Sequence, residues 1–132
     1  MGLKFQPKPG MVLICDFRGF EEPEMVKRRP VVVLAANRDN ARLVTVIPLS
    51  RTRPWRHRVW HYQLLQQLKP LDTERGIWAK CDLLYTVSTT RLDLVHIERG
   101  RYGPLRMKST DFVAIHQAAI TALGSPRRKM LA

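Results

Sequence analysis

Arginine and tryptophan alternate in one short segment of the chain. Residues 51–61 read RTRPWRHRVWH, which places four guanidinium groups beside two indole rings. Arginine pairs with phosphate oxygens through its planar fork, and each base stacked on an aromatic ring contributes about 1–3 kcal/mol. The pattern therefore predicts contact with nucleic acid through six side chains: Arg51, Thr52, Arg53, Trp55, Arg56 and Arg58. The alternative is a solvated basic loop in which one or both tryptophans are buried.

A second group of charges, Lys27-Arg28-Arg29, stands directly before the apolar run that begins at Pro30. A base at the start of a buried strand is rigidly held, which suits it to stabilise charge that develops on a phosphate in a transition state. The alternative is that these bases flank a hydrophobic strand and protect it against aggregation. The residues alone leave both interpretations open, and Arg28 is counted among the side chains predicted to contact nucleic acid.

Lys80 and Asp82 form a third candidate, because residues two apart on a strand share a face. Such a pair is either an acid–base pair or a surface ion pair. The histidines give a weaker signal. Only His57 and His61 are four residues apart, with no acidic residue between them and no third ligand in view. We therefore predict no metal site and structural or solvent-facing histidines.

The sequence contains none of three common cofactor-binding or nucleophile motifs. The glycine-rich phosphate loops GxxxxGK[ST] and GxGxxG are absent, and so is the GxSxG nucleophile motif of serine hydrolases. We therefore predict that the protein uses no cofactor. The two cysteines, Cys15 and Cys81, are far apart in the sequence and are expected to be reduced and buried.

Length and charge limit the function classes further. The 132 residues suit one compact domain, and 23 Lys+Arg against 11 Asp+Glu give a formal charge of +12. A folded protein with this charge is expected to meet a polyanion. The longest apolar run, residues 31–36, falls far short of the ~18 residues that would cross a bilayer, and the first residues do not resemble a signal peptide. We expect a cytoplasmic protein that does not bind membranes.

Strand signals dominate the first two thirds of the chain. Apolar and β-branched runs predict strands over residues 11–17, 30–36 and 42–48. A polar turn at residues 37–40 joins the second and third. Residues 59–64 are either strand or helix, with strand favoured, and residues 76–81 and 83–87 are either two short strands or one bent strand. Residues 1–9 are expected to be an extended lead-in.

One helix is predicted at residues 109–123, capped by Ser109 or Thr110 and followed by Gly124. Its predicted apolar face is Phe112, Ile115, Ala119, Ile120 and Leu123. Residues 126–132 are expected to form a flexible basic tail. Several short strands followed by one helix predict a mainly β, α+β domain over residues 1–132: a small barrel with the helix packed against it.

Three blocks, in order, resemble the PemK/MazF toxins of type II toxin–antitoxin systems. They are PEMVKRRPVVVL at 23–34, VTVIPLS at 44–50 and WAKCDLLYTVS at 78–88, followed by Arg91-Leu92. The resemblance runs from about residue 10 to residue 123. It implies an SH3-like barrel with a C-terminal helix, a homodimer, and a small acidic antitoxin as partner.

The resemblance also implies a metal-independent endoribonuclease that cleaves single-stranded mRNA. Carried over by position, the catalytic candidates are Arg29, Ser50, Asp82 and Lys80. Attack by the RNA 2′-OH would leave a 2′,3′-cyclic phosphate and a 5′-hydroxyl. The alternative is a non-catalytic member of the fold, either an RNA-binding module or a CcdB-like poison of a protein target such as a topoisomerase.

Overall fold

A computed structural model describes residues 2–71 and 75–124 of the chain. The predicted tail at 126–132 lies outside these ranges. Within them the regular elements, in chain order, are β1 Met11–Asp16, β2 Arg28–Ala36, β3 Leu43–Ser50, β4 His61–Gln63, β5 Trp78–Lys80, β6 Tyr85–Ser88, a 3-10 turn Thr89–Arg91, β7 Leu92–Asp93, β8 Val95–Glu98, β9 Arg101–Gly103, β10 Leu105–Arg106 and α1 Ser109–Leu123.

The strands form one curled antiparallel sheet in the order β10-β1-β2-β3-β5-β4. β6 also pairs with β3, β7 also pairs with β1, and β8 and β9 form a separate hairpin. The β-branched run in β2 is buried on both faces of the sheet. Val32 packs in one core cluster, whereas Val31 and Val33 pack in a second cluster on the opposite face. The prediction of a doubly buried strand is therefore confirmed.

The turn between β2 and β3 is stabilised by its first side chain. Asn37 accepts hydrogen bonds through Oδ1 from the backbone N–H groups of Asp39 and Asn40, at 2.9 and 2.8 Å. This local bonding closes the predicted hairpin. β3 continues two residues beyond the predicted end at Pro48, so Ser50 lies within the sheet.

Helix α1 begins at Ser109, but the predicted side-chain cap is wrong. Lys108 holds the N-cap position, and its side chain makes no capping hydrogen bond. Asp111 instead turns inward and is 1% exposed. Its carboxylate accepts hydrogen bonds from the Tyr62 hydroxyl at 2.6 Å and from the backbone N–H groups of Leu65 and Gln66 at 3.0 and 2.9 Å. These bonds fasten the end of β4 to the helix.

The apolar face of α1 is also narrower than predicted. Ile115 and Ala119 are buried with Ala118, whereas Ile120 and Leu123 are 50% and 72% exposed. Ile120 lies about 140° around the helix from Ile115, so it cannot face the same sheet. Leu123 lies in the last turn and is exposed to solvent.

Four short strands, β7–β10, were not predicted. Each has two to four residues, which is too short to show an alternating pattern. Residues 2–9 contain no regular strand or helix, and the Leu3 N–H donates to the Thr89 carbonyl at 3.0 Å. In the described ranges no helix is long and apolar enough to cross a membrane.

Candidate active site

Two candidate catalytic residues lie at the same end of one strand pair. β2 and β3 pair antiparallel with Val31 opposite Pro48. This is the last pair of the β2–β3 ladder, and Arg29 and Ser50 each lie two residues beyond it, on β2 and β3 respectively. Arg29 is exposed and Ser50 is half-buried. The arginine near the start of the buried strand and the hydroxyl that ends its neighbour therefore lie at the same end of the β2–β3 pair.

The Ser50 hydroxyl is held in a defined position. Its Oγ accepts a hydrogen bond from the Thr52 N–H at 3.1 Å and donates a longer one to the Thr52 carbonyl at 3.3 Å. Because the longer bond is the weaker, an incoming phosphoryl oxygen can take its place as the acceptor. The bond from Thr52 would keep the oxygen in place during that exchange.

β5 continues the site beyond Ser50. Trp78 lies directly opposite Ser50 on one side and opposite Gln63 of β4 on the other. Lys80, two residues further, is half-buried on the same face of β5, and Asp82 is exposed just after the strand ends. No ion pair within 4.0 Å joins Lys80 to Asp82 among the described residues. The Lys80 ammonium and the Asp82 carboxylate are thus close in sequence but do not form an ion pair with each other.

His61 belongs to this group, although the sequence suggested only a structural or solvent-facing role for it. It lies opposite Lys80 in the β4–β5 register, and its Nδ1 accepts the Arg58 N–H at 3.0 Å. Burial lowers the pKa of His61, and the nearby Asp82 carboxylate partly offsets this effect. The ring of His57 lies 6.3 Å from that of His61. The sequence shows the spacing of the two histidines, but it does not show that His61 lies next to Lys80, because Lys80 belongs to another strand.

A cavity of about 600 Å³ opens beside Ser50. Three of the residues that line it are arginines, from two different loops. The lining residues are Arg51, Thr52, Arg53, Gln63, Arg75 and Trp78. Arg51, Thr52 and Arg53 were predicted from the sequence, whereas Gln63, Arg75 and Trp78 are brought to them by the fold.

The rest of the basic loop is open to solvent. Trp55 is 96% exposed, and Arg56 and Arg58 are exposed as well. Trp60 instead packs against the larger core cluster. Trp60 is therefore half-buried, and Trp55 is the indole that a partner can reach.

Arg28 and Arg29 point in different directions, because consecutive residues on a strand face opposite sides. Arg28 forms a 3.4 Å ion pair with Asp93 on the far side of β2. Arg29 also lines a smaller cavity of about 190 Å³ with the β1–β2 loop, including Glu22 and Glu24. The structure therefore does not bring Arg28 together with the other predicted RNA-contacting residues.

Arg91 holds the β1–β2 loop in place. Its guanidinium donates to the carbonyls of Asp16 and Arg18, both at 2.9 Å, and lies 4.6 Å from the centre of the Phe20 ring. Arg18 in turn forms a 2.6 Å ion pair with Asp16 and holds the pKa of that carboxyl well below its usual range. The sequence marked Arg91 only as part of a family block, and the structure shows what it contacts.

The cysteines are free and buried, as expected. Burial raises the pKa of both Cys15 and Cys81 to about 12, so neither is a ready nucleophile. The described ranges hold no group of three or more His, Cys, Asp or Glu side chains that could bind a metal ion.

Similar proteins place this arrangement in a family. Residues 8–121 match the family described as PemK-like, MazF-like toxin of type II toxin-antitoxin system. The uncharacterized protein YifN of Escherichia coli (strain K12) is 32% identical over 122 aligned positions, which cover 76% of this chain and 80% of YifN.

Solved structures share the fold. MazF (Form-I) from Deinococcus radiodurans superposes with a TM-score of 0.64 at 16% identity, covering 92% of this chain and all of that one. An endoribonuclease from Mycobacterial species, solved in complex with its cognate antitoxin, has a TM-score of 0.59 at 23% identity and covers 92% of this chain and 98% of its own. These likenesses confirm the predicted mainly β fold with a C-terminal helix. With the match over residues 8–121, they lead to one conclusion: the chain belongs to the PemK-like, MazF-like toxins of type II toxin–antitoxin systems.

Proposed function

We propose that this protein is an endoribonuclease that cleaves single-stranded mRNA without a metal ion and thereby inhibits translation and growth. The observation that carries the proposal is that Arg29 and Ser50 lie at the same end of the β2–β3 pair, with Ser50 next to a cavity lined by arginines. A guanidinium and a hydroxyl are the donors that a phosphodiester needs as negative charge builds on its oxygens. Family membership supports the assignment, and so does the name of the Mycobacterial structure, an endoribonuclease.

The reaction would use a nucleophile that RNA itself carries. The 2′-oxygen forms a bond to the adjacent phosphorus while the bond from phosphorus to the 5′-oxygen breaks. The Ser50 hydroxyl would donate its hydrogen bond to a phosphoryl oxygen instead of to the Thr52 carbonyl. Arg29 would neutralise the charge of the pentacoordinate phosphorus and assist protonation of the departing 5′-oxygen. The products are a 2′,3′-cyclic phosphate and a 5′-hydroxyl.

Asp82 is our candidate to accept the proton of the 2′-OH. It is exposed at the end of β5, where a substrate can reach it. Lys80 would attract the phosphate as a point charge, because an ammonium lacks the fork geometry of arginine. Both groups stand within electrostatic reach of His61, whose pKa is raised by the Asp82 charge and lowered by that of Lys80.

The exposed loop would hold the RNA strand outside the reacting centre. Arg51, Arg53, Arg56 and Arg58 are exposed and offer charge to successive phosphates, and the fully exposed Trp55 offers a surface on which a base can stack. Arg28 forms its ion pair with Asp93 on the other face of the sheet, so it would contact RNA only if the RNA wraps around β2.

A small acidic antitoxin is the second partner that we propose. The formal charge of +12 favours an acidic ligand, and the Mycobacterial relative was solved with its cognate antitoxin. The antitoxin would cover the surface that RNA uses, so the two would compete. We further propose a homodimer that acts in the cytoplasm, as family membership implies.

The test is cleavage of single-stranded RNAs of varied sequence in excess EDTA. We expect Arg29→Ala and Ser50→Ala each to slow cleavage by about 10²–10³-fold, the usual effect of losing one donor to a developing oxyanion. Arg38→Ala is the matched control, because Arg38 is equally charged and lies at the exposed β2–β3 turn. RNA that is bound but never cut would favour the RNA-binding alternative. Growth arrest that survives Arg29→Ala would favour a poison of a protein target.

A further inference from the structure

The 600 Å³ cavity beside Ser50 is built unlike a simple phosphate groove. Its volume lies within the range of about 300–1,000 Å³ typical of pockets that hold small molecules. Arg51, Arg53 and Arg75 bring three positive charges to it, and its described lining includes no carboxylate. Trp78, only 8% exposed, supplies an aromatic wall. Cations and an aromatic ring in one cavity match the phosphate and the base of a nucleotide.

The cavity also has a fixed relation to the candidate reacting centre. Ser50, Trp78 and Gln63 are successive cross-strand neighbours on β3, β5 and β4. Their side chains share one face, and two strand spacings separate the first from the last by about 10 Å. A phosphate at Ser50 would therefore place the adjoining nucleotide, and not the scissile bond, over Trp78 and against Gln63.

Among the described residues of this lining, Gln63 is the one uncharged amide. A glutamine amide has one acceptor oxygen and two N–H donors, the combination that reads the edge of a base. It carries no charge, so it adds nothing to the attraction of the phosphates. Its contribution is to discriminate between bases.

The exposed Gln63 amide makes one long hydrogen bond to the backbone. Its Nε2 donates to the Arg75 carbonyl at 3.4 Å, and it lies against Gly76. Gly76 has a φ of +79°, and a Cβ at this position would stand 2.9 Å from Nε2. A side chain at residue 76 would therefore push the amide away, so glycine there leaves the space that Gln63 occupies.

We propose that this cavity binds one nucleotide of the RNA next to the cleaved phosphate, and that Gln63 selects its base. The inference rests on the proposed ribonuclease function. Arg51, Arg53 and Arg75 hold the sugar–phosphate side, Trp78 contacts the ring, and Gln63 forms hydrogen bonds to the base edge. Selectivity at one position then resides in Gln63, and affinity in the arginines.

The test uses the full chain and a pool of randomised single-stranded RNA, with the 5′ ends of the products sequenced. We expect Gln63→Ala to reduce the base preference at one position beside the cut by about tenfold, the usual effect of losing one base-edge contact. Gly76→Ala, which crowds the amide and also strains the backbone at a φ of +79°, should reduce the same preference. Gln117→Ala is the control, because Gln117 is exposed on α1.

An unchanged base preference in Gln63→Ala would overturn the inference, as would slower cleavage with no change in preference. Binding of single-stranded RNAs that differ at one base separates this result from failure of the ribonuclease proposal. If the wild type binds RNA but does not cut it, the ribonuclease proposal fails. The proposal for Gln63 is then tested by whether Gln63→Ala reduces the difference in affinity between RNAs that differ at that base. If the wild type neither binds nor cuts RNA, both proposals fail.

Discussion

Asp111→Ala should destabilise the fold by about 3 kcal/mol. The 1% exposed carboxylate accepts three hydrogen bonds of 2.6–3.0 Å, from Tyr62, Leu65 and Gln66. Hydrogen bonds to a charged group contribute about 1.5–3 kcal/mol each. The full sum is not lost, because Leu65 is exposed and Gln66 is half-buried, so water can satisfy their N–H groups in the variant. The Tyr62 bond and the emptied space account for most of the loss.

The free energy of unfolding, measured by urea titration and by heat, checks this value. For a domain of this size about 3 kcal/mol corresponds to a fall in Tm of about 10 °C. Tyr62→Phe removes one of the three bonds and should cost about 1.5 kcal/mol. Asp39→Ala is the control, because Asp39 lies exposed in the β2–β3 turn. A loss below about 0.5 kcal/mol for Asp111→Ala would refute the reasoning, since it would mean that the three bonds do not hold β4 to α1.

The contact between Tyr62 and Asp111 should also make the stability depend on pH in the alkaline range. Burial, and then the hydrogen bond to Asp111, raise the pKa of Tyr62 from 10.0 to about 12. A group whose pKa is higher in the folded state contributes full stability below its unfolded pKa and loses it as pH rises toward the folded one. Wild-type stability should thus fall between about pH 10 and pH 12 relative to Tyr62→Phe. Parallel pH curves for the two proteins would contradict the assignment.

Two further predictions concern the exposed loop and the histidine beside Lys80. Trp55→Ala should leave unfolding unchanged, because the indole is 96% exposed, and should weaken single-stranded RNA binding by about 1–3 kcal/mol. The slope of log affinity against log salt should stay the same, whereas Arg56→Ala should reduce it; equal RNA affinity of Trp55→Ala and wild type would argue against stacking. His61 has a lowered pKa, so the unfolded chain takes up its proton first, and wild-type stability should fall relative to His61→Gln as pH drops below about 6.5. His96→Gln is the control, and identical pH dependence of His61→Gln and wild type would refute the burial argument.

The sequence predicted the central strands well because their signals are local. The β-branched residues of β2 fill both core clusters, and Asn37 closes the hairpin with its own side chain. The inward turn of Asp111 could not be predicted. An acidic residue in the first turn normally suits the helix N-terminus. Its three donors come from residues 62–66, more than forty positions away in the sequence.

Some residues of the candidate site could likewise be predicted from the sequence, and others could not. Arg29, Ser50 and the loop arginines stand out by type and by family pattern. Gln63 and His61 do not, because their places depend on the pairing of β4 with β5 and on the approach of Gly76. A single sequence carries no pattern for a contact made across two strands and a loop.

One measurement tests the central claim most directly. The wild-type protein is incubated in EDTA with a single-stranded RNA that it cuts at one site, and in parallel with the same RNA carrying a 2′-deoxy sugar 5′ to that phosphate. Our account predicts cleavage of the all-ribose strand to a 2′,3′-cyclic phosphate and a 5′-hydroxyl, read by mass spectrometry, and no cleavage of the substituted strand. Cleavage of both strands at that phosphate, or of neither, would contradict it.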